Sequence, residues 1–167
     1  MTPEDEQCRE VYAHFGVAAY FAQCFEKFLS NFLLLHARAT KSDLAVKDID
    51  ALEEFLHKKT LGKLLKDVGA VVGHNSSSEQ LVRDALEKRN FLMHQYFWTR
   101  AEKFMTAEGR VEMITELKEV RDLFQRAGYF ATALCKAASD AAGIPWGHFE
   151  QELDRMLREI RGQRGSV

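Results

Sequence analysis

The stretch Arg89-Asn90-Phe91-Leu92-Met93-His94-Gln95-Tyr96 places a guanidinium, an amide, an imidazole and a phenol at R-x4-H-x-Y spacing. Those types can cut RNA without a metal. The 2′-hydroxyl attacks the neighbouring phosphorus, which requires a proton acceptor for that hydroxyl and a proton donor for the leaving 5′-oxygen. Positive charge must also meet the phosphorane oxygens. Histidine titrates near neutrality and can do either proton job. Arginine stays charged and offers phosphate a planar, bidentate fork.

Spacing alone is weak evidence. With this composition R-x4-H arises by chance roughly 0.4 times, and adding the tyrosine lowers that to roughly 1%. A second R-x4-H does occur at Arg9–His14, but Glu10 follows the arginine and Gly16 stands at the tyrosine position. Asn90 and Tyr96 single out the later copy.

A helix carrying the motif sets geometric conditions. Residues five apart differ by about 140° in azimuth, so Arg89 must reach around the helix to meet His94. Asn90 and His94 are i,i+4 neighbours, so Asn90 can orient the imidazole or a phosphate. On a straight helix Tyr96 stands above Arg89, two turns along. The plainer alternative is that Arg89 and His94 are ordinary polar residues on a half-exposed helix, with Phe91, Leu92 and Met93 in the core. Tyr96 is open between a packed aromatic with a wet hydroxyl and a substrate contact.

The motif resembles that of the HEPN superfamily, whose ribonucleases carry R-x4-6-H, often with a polar residue after the arginine. The R-x4-H-x-Y form is similar to that of HepT toxins from two-gene toxin–antitoxin pairs. The resemblance covers the motif closely and the remainder loosely. It implies a metal-independent endoribonuclease, toxin or defence effector, with Arg89 and His94 catalytic and Asn90 and Tyr96 positioning. It implies a homodimer whose two motif helices form one cleft, RNA as substrate, and no cofactor or metal. It also implies an antitoxin nucleotidyltransferase as a possible partner, with Tyr96 its target for adenylylation. The alternative is a non-catalytic HEPN-like module that binds RNA, a nucleotide or a protein.

The elements that must hold these residues are helical. Apolar residues recur with helical rather than alternating spacing, and the only prolines are Pro3 and Pro145. The expected fold is all-α, an up-and-down, HEPN-like bundle of five to six helices forming one domain over 1–167. A first helix is expected over Pro3–Ala39. Phe15, Ala18, Ala22, Phe25, Leu29 and Phe32 form one apolar stripe on it; Val17, Phe21, Cys24, Phe28 and Leu35 form another. Two stripes suit a central helix or a face shared between subunits. Further helices are expected over Val46–Lys59, with Ile49, Leu52, Phe55 and Leu56 inward, and over Leu61–Val72 after a capping Thr60. Gly73–Ser78 reads as a loop with capping boxes Ser76/Glu79 and Ser77/Gln80. From there one helix is expected to reach Met105. Gly109 then separates it from Val111–Ala138, Gly143-Ile144-Pro145 ends that helix, and Trp146–Arg161 forms the last. The tail 162–167 is expected to fray.

Bulk properties restrict the function. The 167 residues carry 23 basic and 25 acidic side chains, a net charge of −2. That disfavours nucleic-acid binding over the whole surface, though not at a small basic site. Cys8, Cys24 and Cys135 have no metal or redox spacing, which suits reduced thiols in a cytoplasm. Val17–Leu35 is interrupted by Gln23, Glu26, Lys27, Ser30 and Asn31, so no membrane span is expected. No HExxH, paired CxxC, GxGxxG or P-loop occurs. Arg155, Arg158, Arg161 and Arg164 repeat every three residues. They read as partners of Glu152, Asp154 and Glu159 and of the helix dipole, or alternatively as a basic rim for RNA.

Overall fold

The computed structural model describes residues 2–40, 46–72 and 76–147, with 151, 155 and 158. Seven helices and no strand occur among them: α1 (Pro3–Thr40), α2 (Val46–His57), α3 (Leu61–Val72), α4 (Ser76–His94), α5 (Tyr96–Thr99), α6 (Ala101–Phe104) and α7 (Ala107–Ala141). The fold is all-α, as expected.

The two long helices, α1 with 38 residues and α7 with 35, form the principal pair; α2, α3 and α4 pack on α1, and α4 also meets α7. Val11, Ala18, Ala22, Phe25, Leu29 and Phe32 supply the α1 side of the core. Met113, Leu117, Val120, Phe124, Ala127, Ala131 and Cys135 answer from α7. The alanines let two long helices approach closely, while Phe25 and Phe124 fill the wider gaps. Leu61 and Val68 of α3, Ala85 and Leu92 of α4 and Tyr96 of α5 join the same cluster.

Helix ends follow local chemistry. Thr2 and Asp5 form a reciprocal capping box ahead of α1: the Asp5 N–H donates to Thr2 Oγ1 at 3.2 Å, and the Thr2 N–H donates to Asp5 Oδ2 at 2.9 Å. At the far end of α7, Gly143 takes φ +69°, the left-handed conformation glycine adopts without a Cβ penalty. The Ile144 N–H then reaches Ser139 O and the Gly143 N–H reaches Asp140 O, closing a Schellman motif.

Several expectations are corrected. The helix expected to run to Met105 stops at His94 and is replaced by α4, α5 and α6. Swinging the chain at Gln95 sends Tyr96 into the core, and Thr99 Oγ1 takes up Gln95 O and Tyr96 O. Gly109 lies inside α7 and separates nothing. Thr106 is the true cap, its Oγ1 accepting from the Gly109 N–H at 3.1 Å. Ser76–Ser78 belong to α4, so the serine run starts the helix earlier than expected. Phe55 faces outward under the Lys59 ammonium, not inward. The Gly73–Asn75 part of the expected loop, the tail and most of the expected last helix, including Arg161 and Arg164, lie outside the described residues. No described helix is long and apolar enough to cross a membrane.

Candidate functional site

Helix α4 presents its apolar side to the bundle through Ala85 and Leu92. Helical spacing then fixes the opposite stripe. Arg83, Glu87, Asn90 and His94 follow at i, i+4, i+7 and i+11, and all four are exposed. His94 is the last residue of α4, where its imidazole meets solvent and the negative end of the helix dipole.

Arg89 sits between the two sides. Its Nε donates to Glu26 Oε1 of α1 at 2.5 Å, and both side chains are about three-quarters covered (25% and 27% exposed). Nη1 donates to Asn90 Oδ1 at 3.3 Å, so the amide meets the guanidinium and not the imidazole. The arginine is thus held toward α1 at one edge and reaches the Asn90 side with its terminal nitrogens. Both motif residues keep access to solvent. Glu26 is the residue that sequence reasoning missed as part of this group. It lies 63 positions from Arg89, and the only sequence signal was a carboxylate interrupting an apolar helix.

Tyr96 behaves otherwise. It is 1% exposed, its hydroxyl donates to Met113 O of α7 at 3.1 Å, and Phe15, Phe91 and Phe97 surround its ring. Burial, reinforced by the nearby Glu116 carboxylate, pushes the phenol well above its ordinary pKa. Of the readings open for Tyr96, the structure shows the packed aromatic. The phenol is a core group whose donor is satisfied, and neither RNA nor a modifying enzyme can reach it in this conformation. The straight-helix placement of Tyr96 above Arg89 fails for the same reason, because the chain turns at Gln95.

A cleft of about 280 Å³ between α4 and α7 is lined by the carboxylates of Asp84, Glu87, Glu116 and Glu119 against Lys88 and Arg126. Glu116 is clamped by Arg100, at 2.9 Å from Nε and 2.8 Å from Nη2, and that pair holds its carboxyl below the usual range. Acidic side chains outnumber basic ones in this cleft. A second cavity, about 310 Å³, is chiefly apolar, with Phe28, Leu35, Ile49, Cys135 and Trp146 in its wall. Neither contains Arg89, Asn90 or His94. Asn90 and His94 are exposed and Arg89 is half-buried.

Large apolar side chains are exposed elsewhere on the chain. Trp98 is 88% exposed, and Met93, Met105 and Tyr12 are exposed too, with Tyr12 packed on Phe97 and Phe104. Trp98 is therefore not a core residue. Arg155 and Arg158 are helical and exposed. Among the described residues no group of three or more His, Cys, Asp or Glu could hold a metal ion. Comparisons with protein-family models, curated proteins and solved structures return no match.

Proposed function

We propose that the chain is a metal-independent endoribonuclease of HEPN type, built on an HEPN-like bundle and working as a homodimer. One observation carries this reading: Arg89 is fixed at Nε by Glu26 while its terminal nitrogens and Asn90 reach toward the exposed His94 side of α4. Arg89 holds and polarises the phosphate, Asn90 orients that guanidinium before the phosphate arrives, and His94 moves the proton. A second copy across α4 supplies a second histidine, so that one imidazole acts as base and the other as acid. A reducing cytoplasm suits the three free thiols, and a toxin or defence role with an antitoxin nucleotidyltransferase partner follows from the resemblance.

The test is cleavage of total RNA in EDTA by purified wild-type, Arg89→Ala and His94→Ala chains, with circular dichroism to verify folding. Each substitution is expected to lower the rate by at least about a hundredfold, the usual contribution of one proton-transfer or charge-stabilising group. Undiminished cleavage by either folded variant rejects the assignment.

The exposed Trp98, Tyr12 and Met105 favour a second reading, a non-catalytic module that docks a protein through aromatic residues. An inert wild-type chain whose partner binding is lost in Trp98→Ala would select it.

A further inference from the structure

We propose that Glu26 is a positioning residue of the Arg89 site, holding the guanidinium so that its Nη1/Nη2 edge, and not its Nε edge, receives the phosphate. This rests on the ribonuclease reading above.

An arginine can grip a phosphate through either of two edges, Nε with one terminal nitrogen or the two terminal nitrogens together. Glu26 Oε1 occupies Nε, so the first edge is blocked. The remaining edge is the one beside Asn90, where the 3.3 Å contact from Nη1 to Oδ1 is long enough to be exchanged for a phosphate oxygen. Glu26 is well placed to act as a fixed post. Phe25 and Leu29 on either side of it are fully buried, and the Ser30 hydroxyl donates to the Glu26 carbonyl one turn on. The post stands on α1 and the arginine on α4, so the contact also sets the distance between the motif helix and the core.

A long, half-buried arginine would otherwise sample many rotamers, few of them aimed at the face that carries His94. Fixing Nε removes that freedom before substrate arrives, and pre-orientation of this kind affects the reacting complex more than substrate capture. Glu26 touches neither substrate nor reacting atoms in this arrangement. It acts through Arg89.

The experiment compares Glu26→Ala and Glu26→Gln with wild type. Glutamine keeps an oxygen that accepts from Nε, whereas alanine removes it; both delete the charge. Three quantities are read: kcat and KM on a fluorescent single-stranded RNA of mixed sequence, affinity for its uncleavable 2′-O-methyl analogue, and melting temperature. Glu26→Ala is expected to lower kcat about tenfold or more, with KM and analogue affinity within about twofold of wild type. Glu26→Gln is expected to restore kcat to within about threefold of wild type while melting as low as the alanine variant. A kcat unchanged in Glu26→Ala overturns the proposal. So does a kcat that falls equally in both variants in step with melting temperature, which would make the contact a tertiary strut only. An inert wild-type chain overturns the ribonuclease reading itself, a different result from an active wild type that ignores Glu26.

Discussion

Arg89 and Tyr96 lie only seven positions apart, yet their surroundings give them opposite fates. The guanidinium is desolvated on one side, satisfied there by Glu26, and open on the other. The phenol is enclosed on all sides, with its one donor spent on Met113 O. Tyr96→Phe is therefore expected to leave RNA cleavage unchanged and to cost about 0.5–1.5 kcal/mol of stability, the net worth of one buried hydrogen bond. Urea unfolding beside the cleavage assay measures both. A large loss of cleavage in the stable phenylalanine variant would return the tyrosine hydroxyl to the site.

At the scale of elements, the bundle depends on two joints that hold the α4–α7 region together. One is the approach of α6 to the first turn of α7. A Cβ on Gly109 would stand 2.1 Å from the Lys103 carbonyl oxygen, a backbone atom that cannot swing aside. Gly109→Ala is expected to destabilise by about 1–3 kcal/mol through overpacking, read as a lower denaturant midpoint. A midpoint at or above wild type would mean that the joint is loose. The other joint is Arg100–Glu116, between the end of α5 and α7, with the guanidinium also over Phe91. The folded pKa of Glu116 is lowered, chiefly by its hydrogen bonds to Arg100. Its stabilisation is thus full above the unfolded glutamate value of about 4.3 and is lost as pH falls through the folded value. Unfolding free energy should fall less steeply with acid below about pH 4.3 in Glu116→Gln than in wild type. Equal slopes would show that the pair adds nothing. These joints also mark where the sequence was readable. Gly143-Ile144-Pro145 carries its stop in its residue types, and α3 begins and ends where its pattern does. The turn at Gln95 has no proline or glycine to announce it, because burial of Tyr96 in a distant aromatic cluster drives it. Gly109 looked like a breaker, yet its smallness serves packing inside a helix.

Over the whole molecule, the Asn90 and His94 side chains of the proposed site stand exposed on α4. The net charge is −2, and in the α4–α7 cleft acidic side chains outnumber basic ones. The motif itself was legible, since Arg89, Asn90 and His94 stand together on one helix. Its anchor was not legible, since Glu26 meets Arg89 only once α1 and α4 pack. The proposed dimer would bring a second copy of the chain against the Asn90 and His94 face. The most direct test of the central claim is the chemistry of the cut ends after wild-type protein meets RNA in EDTA. Attack by the 2′-hydroxyl, with Arg89 on the phosphate and His94 moving the proton, yields 2′,3′-cyclic phosphate and 5′-hydroxyl ends. Intact RNA, or 3′-hydroxyl and 5′-phosphate ends, would contradict it.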